Sequence, residues 1–76
     1  MHDTLYMKIT DVVTTSVTIG PDDRGTVRTI KGDSVHERPL LFPAILTFAD
    51  SDTVTIPDRA KLDRVMEQKS YRKVVL

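Results

Sequence analysis

The side chains able to serve as bases, nucleophile partners or metal ligands are few: His2, His36 and eleven carboxylates, with no Cys in 76 residues. His36-Glu37 sets an imidazole beside a carboxylate, but the second histidine that a helical zinc motif requires is missing. A catalytic triad needs a nucleophile within hydrogen-bond reach of its base and a third group to orient that base. The sequence around His36 has neither a strained Ser elbow nor a Gly-rich oxyanion loop, so His36 reads as a surface-loop residue. Asp50-x-Asp52 and Asp22-Asp23 could offer oxygen ligands to a hard cation. A calcium loop also needs a central Gly and a closing Glu, and neither follows Asp52; both acidic pairs read as turns. Gly20, Gly25 and Gly32 match neither the P-loop nor the dinucleotide spacing. A chain of this length also has little room to bury a substrate. The expectation is a protein that is not an enzyme, with no cofactor, no metal site and no catalytic residues.

Binding chemistry is easier to place. The formal net charge is zero, yet it is unevenly spread. Residues 1–56 carry five basic against eight acidic side chains, a net −3, and residues 57–76 carry six against three, a net +3. On a helical wheel Lys61, Arg64 and Gln68 share one flank, and Tyr71, Arg72 and Lys73 follow it along the chain. Such a segment could attract phosphates and stack an aromatic on a base. Against a nucleic-acid surface stand the interleaved Asp63 and Glu67 and a pI of about 6.7.

A second surface is the apolar ending Val74-Val75-Leu76, together with the Leu40–Phe48 stretch. A terminal strand such as the one holding Val75 can pair with its own sheet or with the edge of another chain. Homodimerisation through an edge or a shared hydrophobic face follows as an expectation. The acidic residues Asp22, Asp23, Asp33, Glu37, Asp50 and Asp52 fall in turns and connections. Gathered at one end, they would form a negative rim suited to steering onto a charged protein partner. The reading is a small non-enzymatic protein-binding or regulatory module. A phage or mobile-element product that modulates a host protein is one form of that class. The alternative is a small nucleic-acid-binding β-barrel using the basic C-terminal helix and strand.

The elements that must position these residues are mostly strands. Ten Thr and nine Val make a quarter of the chain, and β-branched side chains suit a pleated, half-buried surface. Leu5, Met7 and Ile9 alternate with Tyr6, Lys8 and Thr10, and the odd positions resume as Val13, Val17 and Ile19. This predicts one strand bent near Asp11 or two strands, with the odd positions as the apolar face. Gly20–Gly25 is a turn, Thr26–Lys31 a strand, Gly32-Asp33-Ser34 a turn and Val35–Pro39 an irregular connection. Leu40–Ala49 is expected as the central strand, with Pro43 at an edge, a bulge or the strand start. Asp50–Asp52 turns into a short strand, Thr53–Ile56.

A helix is predicted over 57–69, opened by a capping box from Thr55 to Asp58 and buried on Leu62, Val65, Met66 and the stem of Lys69. Tyr71–Leu76 is the final strand. The fold class is therefore α+β in a single domain, 1–76: a small antiparallel sheet or an SH3-like half-barrel of about five strands, with one helix before the last strand. No apolar run approaches a membrane span, Met1–Tyr6 has no basic leader region, and the lack of Cys fits the cytoplasm.

Overall fold

The computed structural model describes residues 2–76. The order is β1 (Thr4–Ile9), β2 (Thr14–Ile19), β3 (Gly25–Lys31), β4 (Ser34–Leu40), β5 (Ala44–Thr47), β6 (Thr53–Ile56), α1 (Arg59–Gln68) and β7 (Arg72–Val75). Five strands form one antiparallel sheet in the order β4-β3-β2-β1-β7, and β5 pairs only with β6. The chain is thus the expected α+β protein, with an antiparallel sheet and one helix before the last strand. The sheet stays open, and β4 and β7 are its edges.

The period-two alternation holds, but its phase reverses across the first hairpin. Leu5 pairs with Thr18 and Tyr6 with Val17, so odd positions of β1 share a face with even positions of β2. The odd positions of β1 are therefore not the core face, as expected, but the uncovered one. Thr4 and Tyr6 are buried beside Val17 and Ile19, while Ile9 is 70% exposed. Tyr6 can take an inward place because its hydroxyl finds a partner on α1. The polar break near Asp11 is the turn joining two strands. Thr10 holds it by donating from its N–H and its hydroxyl to the Val13 carbonyl.

Two further expectations are corrected. Val35–Pro39 is not irregular: it lies in β4, which pairs with β3 from Ser34↔Lys31 to Leu40↔Gly25. Gly32, at φ +59°, supplies the positive φ that a two-residue hairpin needs. Only Leu40 of β4 is buried, so an edge strand of mainly polar residues left no hydrophobic signature. Leu40–Ala49 is likewise not a central strand. Leu40 closes β4, and the chain passes Pro43 before starting β5 at Ala44. Pro43 thus marks a strand start.

The helix begins later than predicted. Thr55 stays in β6 opposite Ile45, so it cannot cap. Asp58 is the N-cap, and its Oδ1 accepts the Lys61 N–H at 2.9 Å. Leu62, Val65 and Met66 are buried as their spacing predicts. At the other end Tyr71 N–H donates to the Met66 carbonyl and Ser70 N–H to that of Glu67. This is a Schellman closure, with Ser70 at φ +64° where Gly is the usual residue.

The helix and the β5–β6 hairpin cover one face of the five-stranded sheet. Between these layers sit eleven buried apolar residues, among them Ile19, Leu40, Ile56 and Leu62. Gly25 permits close strand approach there, because a Cβ at this position would lie 2.1 Å from the Thr18 carbonyl oxygen. Among the described residues no helix is long and apolar enough to cross a membrane.

Candidate functional site

The basic C-terminal residues do not form one patch. Lys69 folds back against the β5–β6 turn, where its Nζ contacts Asp50 at 2.7 Å and Asp52 at 2.6 Å and lies 5.2 Å from the Phe48 ring centre. Those contacts lower the Asp50 pKa and raise that of Lys69. The Asp50 and Asp52 pair, candidate cation ligands by sequence, is thus a latch between the β5–β6 turn and the end of α1. Among the described residues no cluster of three or more His, Asp or Glu could hold a metal ion. Lys73 contacts Asp63 at 2.7 Å and lies 6.0 Å from the Tyr6 ring centre. The Lys73 contact, followed by the Tyr6 hydrogen bond, holds the Asp63 carboxyl below its ordinary pKa. Arg59 bonds the Gly20 carbonyl at 2.7 Å and Thr4 Oγ1 at 3.2 Å.

The remaining predicted residues scatter. Lys61 is half-buried and lines a shallow concavity with Gln68, Lys69 and the two aspartates, while Arg64 and Gln68 are exposed. Arg72 pairs with Met7 and therefore belongs to the opposite, uncovered face of the sheet. Val75 is 61% exposed at the β7 edge, opposite Thr4. Tyr71 turns inward, its ring 6.0 Å from that of Phe48 in an edge-on arrangement. Burial raises its hydroxyl pKa.

Tyr71 leads to a cleft beside β4. The covering layer stops short of β4: inward-facing His36 and Arg38 are exposed, and Thr15 and Thr29 are half-buried. Between sheet and hairpin this leaves a cleft of about 140 Å³, floored by Val17 and Val27 and walled by Leu46, Phe48, Met66 and Tyr71. Arg38 stands at its mouth. The cleft opens along β4 into a wider groove that also touches His36, Thr29 and Thr47. Arg38 has no ion-pair partner among the described residues, whereas neighbouring Arg28 lies 3.3 Å from Glu37.

The arrangement is apolar inside and cationic at the lip. Such a cleft can take one apolar side chain of a peptide and pair a nearby carboxylate with Arg38. Of the predicted site residues only Tyr71 lines it. Arg38 and Val27 were not foreseen, and the signal that could have found Arg38 is its two-residue spacing from Leu40 in β4. No protein family, curated protein or solved structure matches the chain, so its functional reading rests on its own residues.

Proposed function

We propose that this chain is a non-catalytic protein-binding module that accepts an apolar, acidic segment of a partner in the groove between β4 and the β5–β6 hairpin. The observation carrying this reading is the unpaired Arg38 at the mouth of a cleft that is mainly apolar, with Thr15, Thr29 and Thr47 also in its wall. At about 140 Å³ the cleft suits one side chain. Pockets that bury a whole small-molecule ligand run from roughly 300 to 1,000 Å³. The occupant is therefore a peptide segment with a large apolar residue next to Asp, Glu or a free carboxyl terminus.

Selection of random displayed peptides against the immobilised protein tests this. Enriched sequences should pair a large apolar residue with an adjacent carboxylate. Their affinity should fall roughly tenfold or more in Arg38→Glu, since one charge pair at an interface is worth that much or more, and stay unchanged in Arg64→Glu. Enrichment of basic peptides, or affinity indifferent to Arg38→Glu, would refute the groove. A nucleic-acid role draws less support, because Lys69 and Lys73 are already engaged by carboxylates. Tight, steeply salt-dependent binding of a single-stranded oligonucleotide, weakened by Arg64→Glu, would restore that alternative.

A further inference from the structure

Among the described residues no element covers the other face of the five-stranded sheet. An open antiparallel face is ordinarily polar, but here Val74, Leu5, Met7 and Ile9 make a continuous apolar stripe along β7 and β1. Ile30 and Val35 add an apolar pair on β3 and β4, directly opposed in the register. Ile9 is 70% and Val35 50% exposed.

The charges on this face are ordered. One row crosses the sheet as Glu37, Arg28, Ser16, Met7 and Arg72, from one edge strand to the other. The negative member sits on β4 and the outermost positive member on β7, with β2 at the centre.

We infer that this face is a homodimer interface, packed on a second copy about a two-fold axis parallel to β2. Rotation about that axis lays β4 over the second copy's β7 and keeps each row at its own height. Glu37 of each copy then meets Arg72 of the other, so a single contact is made twice, as an isologous interface requires. Glu37 already contacts Arg28 at 3.3 Å and would be held between two guanidinium groups. In the neighbouring row Ile9 faces Ile30 of the other copy, and in the third row Val74 faces Pro39. A two-fold axis perpendicular to the strands would also overlap all five, but it would set Glu37 on Glu37 and Arg72 on Arg72, so the charges select the axis parallel to β2.

Size also suits a second copy. Five strands about 4.8 Å apart and six residues long at about 3.3 Å per residue span roughly 24 by 20 Å. That is on the order of 1,000 Å² over two faces, near the lower limit for a specific interface. A reversible dimer in the micromolar range is the expected outcome.

Sedimentation equilibrium of the full chain from a few to several hundred micromolar tests this, with circular dichroism confirming that each variant is folded. Wild type should dimerise, and Ile9→Glu, which sets a charge against Ile30 of the second copy, should abolish association. Arg72→Glu and Glu37→Arg should each weaken it tenfold or more, and the double variant Glu37→Arg/Arg72→Glu should recover most of the loss. A wild-type chain that stays monomeric throughout overturns the inference. So does a dimer that survives Ile9→Glu, which would be joined at a strand edge. A folded double variant no tighter than the singles also overturns it, as does a monomer whose face binds lipid vesicles instead.

Discussion

Tyr6 shows how one hydroxyl lets an aromatic enter a small core. It is 2% exposed, and its O–H donates to Asp63 Oδ1 at 2.8 Å. Burial first, and then the Asp63 carboxylate, push its pKa up to about 12. The folded state thus favours the neutral phenol more than the unfolded chain does, where the value is 10.0. The stabilisation is complete below pH 10 and fades as pH rises towards about 12. Chemical denaturation across that window should show wild type losing stability more steeply than Tyr6→Phe. Tyr71, whose pKa is also raised, should leave a smaller residual slope in both. At neutral pH Tyr6→Phe should cost about 1.5–3 kcal/mol, the worth of a hydrogen bond to a charged acceptor. Composition could not foretell this role, because it depends on a contact between residues 57 apart in sequence.

At the scale of elements, the ends of α1 decide how the helix is held. Asp58, not Thr55, caps it, since pairing with Ile45 fixes Thr55 in an extended strand. The closing residue, Ser70, adopts φ +64°. A side chain in that left-handed region costs about 1–2 kcal/mol that glycine avoids. Ser70→Gly should therefore raise the free energy of unfolding by about 0.5–1 kcal/mol, read from the urea midpoint, once the greater freedom of glycine in the unfolded chain offsets part of the gain. An unchanged or lower midpoint would contradict this account of the closure. The Leu62/Val65/Met66 stripe was legible because helical spacing is a local property. Strand β4 was not, because all its residues but Leu40 are exposed and its extended shape is imposed by pairing with β3.

The whole molecule lives on a thin margin. A single core in a chain of this length supplies only about 3–5 kcal/mol of net stability, and eleven apolar side chains form it. Leu62 is fully buried beneath the sheet. Leu62→Ala should cost about 2–5 kcal/mol, enough to leave much of the protein unfolded at 25 °C by near- and far-ultraviolet circular dichroism. A dimer through the uncovered face would add to that margin by mass action. The thermal midpoint of wild type should accordingly rise with protein concentration, whereas that of Ile9→Glu should not.

Residue order by itself determined the element types that depend on near neighbours. These are the period-two strands, the turns at Gly20–Gly25 and Gly32–Ser34, the helix with its buried stripe, and hence the α+β class with an antiparallel sheet. Only the tertiary structure decided which face of each strand is inside. The Thr10–Val13 turn inverts parity between β1 and β2, and a period of two is blind to its own phase. Tertiary structure also decided which charges are left over. Pairing between elements consumes Lys69, against the β5–β6 turn, and Lys73, against α1, and leaves Arg38 at the mouth of the cleft. Charge runs are written in the chain, but neutralisation depends on which side chains meet across the core.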